Sequence, residues 1–277
     1  PRDLQCPICN SDKILAEGIS GTPYQGCRNC AYLWRSDREN FSKPNRVYEE
    51  NEEFCIEELL SQEHKEARRA YYSWQLKMFH TYLSADQRKP SPGRLLEIGC
   101  GSGGFSKAAL DAGWDVTSLE PSPALREHAQ KLLGKERVVG QSLENASFTA
   151  GSFDAIVALD ILEHIPDYTL LPDRVCHWLR DGGMVLVQTP NAHALRRYLH
   201  GAHWNLLRLD THFLIHSAES LKILMSKYGL RVLRMQTISG TGTSQGFKRW
   251  VEISYGSVLS AFGMGNALWM VAVKESR

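Results

Sequence analysis

Residues 95–105, Leu-Leu-Glu-Ile-Gly-Cys-Gly-Ser-Gly-Gly-Phe, run from a short apolar stretch into a glycine-rich turn, and the next apolar stretch, Val116-Thr117-Ser118-Leu119, is closed by Glu120. A strand that ends in such a turn, passes into a helix and returns as a second strand tipped with a carboxylate is the unit with which a doubly wound sheet holds a nucleoside. Gly99, Gly101 and Gly103 let the backbone come close to a ligand, because a side chain there would collide with it.

The glycine spacing alone also fits a dinucleotide, since Gly99, Gly101 and Gly104 match that fingerprint and Glu120 stands where its ribose-binding acid belongs. Glu97 separates the two readings. Placed two positions before the first glycine, its carboxylate repels a pyrophosphate and attracts a tail that carries an ammonium and a sulfonium. S-adenosylmethionine has those two cations and no phosphate.

Two further blocks follow in order: Ser152-Phe153-Asp154-Ala155-Ile156-Val157-Ala158-Leu159-Asp160-Ile161-Leu162-Glu163-His164-Ile165-Pro166-Asp167 and Leu179-Arg180-Asp181-Gly182-Gly183. With them, residues 91–191 resemble the class I S-adenosylmethionine-dependent methyltransferases, and the remainder is more weakly similar to small-molecule members with an amino-terminal zinc ribbon. The resemblance implies that Glu97 faces the methionine amino end and that Glu120 takes the two ribose hydroxyls, a vicinal diol that suits a bidentate carboxylate. Family members commonly place an acid after the third strand to accept from the adenine amino group; this chain has Gln141-Ser142-Leu143-Glu144. Either the Gln141 amide oxygen accepts that bond, or Leu143 packs on the ring while a backbone group reads its edge. Asp160 ends the fourth strand, where ligand chemistry sits in such sheets, or else caps the following turn.

Methyl transfer from a sulfonium is an in-line displacement, so the protein must align the partners, exclude water and take a proton where the nucleophile carries one. A neutral imidazole suits that last task. His212, beside Phe213-Leu214-Ile215 in a segment that related enzymes bring over the pocket, is the first candidate base; His164 and His216 are the others. His164 has an alternative role in packing beneath the cofactor. Asp160, Glu163 and His164 also form a carboxylate and imidazole group able to hold a divalent ion, to which no role is assigned.

The seven cysteines include two pairs, Cys6-Pro7-Ile8-Cys9 and Cys27-Arg28-Asn29-Cys30, spaced as a four-thiolate zinc site. A closed sulfur shell leaves no open position for substrate, so its expected role is structural. With 32 Lys and Arg against 31 Asp and Glu, a formal charge of +1 gives no general attraction to nucleic acid or anionic membrane. Ala267 to Val273 is too short to span a bilayer and Pro1-Arg2-Asp3 is not a secretory signal, so the expected location is the cytosol.

The 277 residues thus divide into a zinc ribbon at 1–33, a connector and helical cap at 34–90, and an α/β domain at 91–277 with a substrate-facing insert at 191–216. The expected fold is a Rossmann-like, doubly wound, seven-stranded sheet with a carboxyl-terminal antiparallel hairpin. Uninterrupted helical periodicity predicts one or two helices over Ile56–Leu83, whose Tyr71, Tyr72 and Trp74 are secondary candidates for capping the pocket. Strands are expected at 94–98, 115–119, 137–139, 153–159, 184–188, 231–237 and 267–274. Helices are expected at 105–112, 123–133, 170–179 and from Ser217 to Tyr228, and a glycine-rich loop at 240–265.

The expected activity is O-methylation of a small metabolite or sugar in a bacterial biosynthetic pathway, with histidine-assisted deprotonation. Alternatives are an RNA methyltransferase that reads RNA through its ribbon, a scaffold that binds the cofactor without turnover, and an oxidoreductase. The expected partners are a small-molecule or sugar substrate and a protein partner or second copy, with no membrane.

Overall fold

The computed structural model describes residues 5–15, 19, 22–38, 62–83, 92–208, 211–239 and 256–276. A hairpin of β1 (Tyr24–Gly26) and β2 (Leu33–Arg35) comes first, then the long helix α1 (Gln62–Leu83). Strands and helices next alternate as β3 (Arg94–Ile98), α2 (Gly104–Asp111), β4 (Asp115–Leu119), α3 (Pro123–Leu133), β5 (Val138–Val139), β6 (Phe153–Leu159), α4 (Leu170–Trp178) and β7 (Leu179–Pro190). The short helices α5 (Leu195–His200) and α6 (Asn205–Arg208) lead to β8 (Leu214–Ile215), α7 (Ala218–Lys227), β9 (Leu230–Ile238), a helical turn at 256–261 and β10 (Ala267–Lys274).

Seven strands form one sheet in the order β5-β4-β3-β6-β7-β10-β9. Its first five are parallel, and β10 runs antiparallel to both β7 and β9, which gives the expected terminal hairpin. Strand order reverses beside β3, so the chain leaves β3 and β6 on opposite sides and a crevice opens above their carboxyl ends. Alternate residues face opposite cores. Leu96, Ile156, Val185 and Met270 pack with Leu171, Trp178 and Leu221 of α4 and α7, whereas Leu95, Val157, Leu186 and Val271 pack with Phe79 and Phe105 of α1 and α2. The run Ala155 to Ala158 has no exposed residue, as a strand covered on both faces requires.

Local chemistry sets the element ends. Ser122 accepts from the Leu125 N–H at 3.3 Å and Pro123 occupies the first turn of α3, while Gly134, at φ 99°, stops it. Ser217 and Ser220 form a reciprocal capping box that starts α7. Helix α1 is pinned to the sheet where the Trp114 indole donates to His80 Nε2 at 2.7 Å, and its Phe79 is fully buried.

Three departures from expectation have local causes. A 3-10 turn at Lys135–Arg137 shortens β5. The segment Leu179–Gly183 belongs to β7 itself, entering through a register shift between the Phe153–Leu179 and Ala155–Met184 pairs that Gly182, at φ 71°, accommodates. The expected loop contains the helical turn at 256–261, while 240–255 lies outside the described residues, as do the start of the expected helix at Ile56 and the break at Pro90.

The amino-terminal hairpin does not stand apart. β2 pairs antiparallel with β8, Leu33 opposite Ile215 and Trp34 opposite Leu214, to make a three-stranded sheet β1-β2-β8. Tyr32 and Trp34 share an apolar cluster with Phe213, Leu214 and Leu224, so cysteine-rich hairpin and α/β domain are continuous through buried side chains. Among the described residues no helix is long and apolar enough to cross a membrane.

Candidate functional site

Two clefts open at the carboxyl end of the sheet, and Gly99 lines both. The larger encloses about 590 Å³ and is lined by Glu97, Gly101 and Asp160 from the sheet side and by Arg68, Tyr71 and Gln75 from α1. That volume is typical of a small-molecule site. The smaller, about 60 Å³, is a narrow slot lined by Ile161, His164 and Ile165 and by Leu119, Gln141, Ser142 and Leu143.

The turn that separates them needs its glycines for different reasons. Gly99, Gly101 and Gly103 all have positive φ, at 70°, 54° and 88°. A Cβ at Gly99 would lie 2.2 Å from Ile161 Cδ1, whereas at Gly101 nothing lies within 4 Å and only the backbone conformation excludes other residues. Gly103 has a packing reason as well. It lies outside both cleft linings, and a Cβ there would meet Leu133 at 3.1 Å and the Ala129 backbone at 3.4 Å, so it allows α2 to start tightly against α3.

Glu97 is 3% exposed at the end of the central strand and accepts from the Ser106 hydroxyl, which lies 2.7 Å from that of Ser118. Burial pushes its carboxyl up to about 8, the hydrogen bond from Ser106 opposing it. Glu120 is equally buried, with Oε2 accepting from the Gly101 N–H at 2.7 Å and Oε1 from the Ser122 N–H at 2.9 Å. Its carboxylate is thus turned onto the glycine turn, while its neighbours Leu119 and Pro121 line the smaller cleft.

Asp160, also lining the larger cleft, sits at φ 56°, a left-handed conformation uncommon for a residue with a side chain and concentrated at functional sites. Gln188 secures it twice. The Asp160 N–H donates to the Gln188 carbonyl at 2.9 Å, and Gln188 Nε2 donates to Oδ1 and Oδ2 at 3.0 and 2.9 Å. The Gln188 amide is held in turn, its oxygen accepting from Tyr71 Oη at 2.6 Å and Gln75 Nε2 at 2.9 Å. Tyr72 also lines this cleft, and Trp74 lies outside its lining, stacked on Tyr71 with centroids 5.9 Å apart. Gln188, Gln75 and Arg68 carry no recognisable signal in the sequence, because a strand end and a helix face acquire meaning only when packed together.

The histidines fall elsewhere than expected. His212 and His216 line neither cleft. His216 is fully buried against Tyr32 with centroids 4.6 Å apart, and burial pushes it down to about 3. His212 packs edge-on against His164, centroids 4.7 Å apart, and burial followed by the His164 charge depresses it to about 3. Both rings are thus held as neutral imidazoles in the interior. His164 faces the smaller cleft, and because the Thr211 carbonyl 3.0 Å from its Nδ1 can only accept, that nitrogen carries the proton. Glu163, His164 and His212 bring ligand atoms within 4.8 Å of one another, a set of one oxygen and two nitrogens able to hold a metal ion. Burial, then the Asp160 charge, raises the Glu163 carboxyl well above its ordinary range, and its Oε2 accepts from Thr189 at 3.0 Å.

The four hairpin thiols also converge, their sulfurs lying within 4.8 Å of one another. Cys6 and Cys30 are 3.7 Å apart and Cys9 and Cys27 3.5 Å, near the roughly 3.8 Å edge of a tetrahedron with zinc–sulfur bonds of about 2.3 Å. All four are free of disulfides, so the residues fit the ion.

A family model described as a methyltransferase domain matches residues 66–235. A ubiquinone biosynthesis O-methyltransferase of Xanthomonas axonopodis pv. citri (strain 306) is 34% identical over 115 residues, 40% of this chain and 48% of that protein. One from Xylella fastidiosa (strain 9a5c) is 35% identical over 117 residues, 40% and 46% of the two chains. The match therefore spans about half the length of these curated relatives. Among solved structures, a SAM-dependent methyltransferase from Archaeoglobus fulgidus superposes with a TM-score of 0.54 at 17% identity, covering 74% of this chain and 94% of that one.

The raised Glu97 carboxyl makes a signed prediction. Between its ordinary value of 4.5 and about 8 the folded ligand-free protein holds a proton that the unfolded chain releases, so this group makes stability fall as pH rises across that window. Urea titrations of Glu97→Gln across the same range should show a flatter pH dependence than wild type, and an identical slope would contradict the assignment.

Proposed function

The chain belongs to the class I S-adenosylmethionine-dependent methyltransferases, and from that premise we propose that it methylates a hydroxyl oxygen of a small biosynthetic metabolite. The observation that carries the reading is the pair of adjoining clefts sharing Gly99, one narrow and apolar-walled, the other roomy and lined by the buried carboxyl of Glu97 and the secured carboxylate of Asp160. The names of the partial relatives support oxygen as the methylated atom.

Bound S-adenosylmethionine would supply the methyl group and its own leaving group. Gln141, Ser142, Leu143 and Ile161 form the slot proposed for adenine, with Leu143 and Ile161 as its apolar walls. Glu120, beside that slot, is proposed to turn from the Gly101 N–H to the ribose hydroxyls, and Glu97 to face the ammonium, whose charge stabilises the ionised carboxylate. Arg68, lining the same cleft from α1, is proposed to meet the tail carboxylate.

The acceptor then occupies the cleft between Asp160 and Tyr71. Asp160 replaces the histidines as the proposed base, because it lines the larger cleft and Gln188 limits the rotation of its carboxylate. General-base assistance of this kind contributes on the order of 10²–10⁴-fold. A hydroxyl proton passes to a carboxylate oxygen as the acceptor oxygen gains its methyl group. The four hairpin thiols are proposed to hold a structural zinc, and the hairpin, the cap containing α1 and the α/β domain with its 191–216 insert are proposed as the chain's functional divisions. A small-molecule acceptor suits the near-neutral charge better than RNA does.

Transfer of labelled methyl from S-adenosylmethionine to a panel of phenols, catechols, sugars and amines tests the reaction. Hydroxylated acceptors should be labelled, and Asp160→Asn should lower turnover on the order of 10²-fold or more while S-adenosylhomocysteine binds nearly as before. Labelling confined to amines, or an Asn variant with full turnover, would contradict the proposal.

Chelation tests the ribbon. One zinc should be released per chain with loss of thermal stability, whereas a metal-free preparation with an unchanged melting transition would refute the metal assignment.

A further inference from the structure

The cysteine-rich hairpin reaches the smaller cleft through a short series of buried contacts. Tyr24, 1% exposed on β1, donates from Oη to the backbone carbonyl of His212 at 2.5 Å. The preceding carbonyl, that of Thr211, accepts from His164 Nδ1 at 3.0 Å, and His164 forms part of the wall of that cleft. The next residue, Phe213, donates its N–H to the Glu163 carbonyl at 2.7 Å and accepts from the Arg35 N–H at 2.9 Å. Farther along, the Ser217 hydroxyl donates to the carbonyl of Cys30 at 2.6 Å.

Segment 211–217 is therefore tied on one side to the hairpin, at Tyr24, Arg35 and Cys30, and on the other to the turn that carries Glu163 and His164. A hydrogen bond to the His212 carbonyl fixes the peptide plane next to that of Thr211, and the Thr211 carbonyl selects the His164 tautomer and ring orientation. A displaced hairpin would leave the imidazole free to rotate in the wall of a slot only about 60 Å³ in volume.

We propose that the hairpin is a positioning element for the adenosine end of the cofactor, with Tyr24 as the residue that transmits its position to His164. The proposal rests on reading the smaller cleft as the adenine slot. It gives the four thiols a role beyond local stability, since anything that loosens the hairpin also loosens the cofactor site.

Calorimetric titration of S-adenosylhomocysteine and of adenosine into wild type, Tyr24→Phe and Ser217→Ala tests this, with ¹⁵N spectra of the His164 ring recorded alongside. Tyr24→Phe removes only the donated bond, and Ser217→Ala provides an independent cut should the first variant fold poorly. Both ligands should bind about three- to tenfold more weakly, as expected for one buried hydrogen bond acting through the site. The His164 signals should shift from a single Nδ1–H tautomer toward a mixture. Folded variants that bind both ligands as tightly as wild type with unchanged His164 signals would overturn the proposal while leaving the cofactor reading intact. Wild-type protein that binds neither ligand would overturn both.

Discussion

A carboxyl group buried at the end of the central strand sets the terms for everything above it. Glu97 lies beneath the glycine turn, 3% exposed, with the hydroxyls of Ser106 and Ser118 as its polar company. Without a cation it keeps its proton up to about 8. An ammonium brought into the larger cleft favours the ionised form, whereas an anion there would favour the protonated one. Glu120 adds the second constraint, because its bonds to the Gly101 and Ser122 N–H groups hold the turn and the start of α3 on one carboxylate.

The side of the larger cleft proposed for the acceptor follows from the same topology. Strands β6 and β7 are neighbours in parallel register, which puts Leu159 opposite Gln188 and brings Asp160 under the Gln188 amide. Helix α1 supplies Tyr71 and Gln75 to orient that amide. One network thus joins the helical cap to the sheet where chemistry is expected, and the left-handed backbone at Asp160 is sustained by bonds to both its N–H and its side chain.

Most of the sheet was legible because its signals are local. β4, β6 and β10 and helix α3 have the expected bounds, since buried parallel strands read as apolar runs and Pro123 and Gly134 punctuate α3. The sequence also marks the glycine turn, both acids and the four thiols. What it does not show is how distant segments meet. His212 and His216 are candidate bases by their likeness to a segment that related enzymes bring over the pocket, and their apolar run contains β8, whose partner β2 lies far back in the chain. The pairing draws both rings into the interior beside the hairpin. Gln188 reads in the sequence only as the end of a buried strand, and the packing of Gly103 against α3 has no local signal either.

The account is tested most directly by a diffraction structure of the protein soaked with S-adenosylhomocysteine. It predicts adenine in the slot between Leu143 and Ile161, ribose on Glu120 and the amino group facing Glu97. Adenine seated outside that slot, or a tail carboxylate turned toward Glu97, would contradict it.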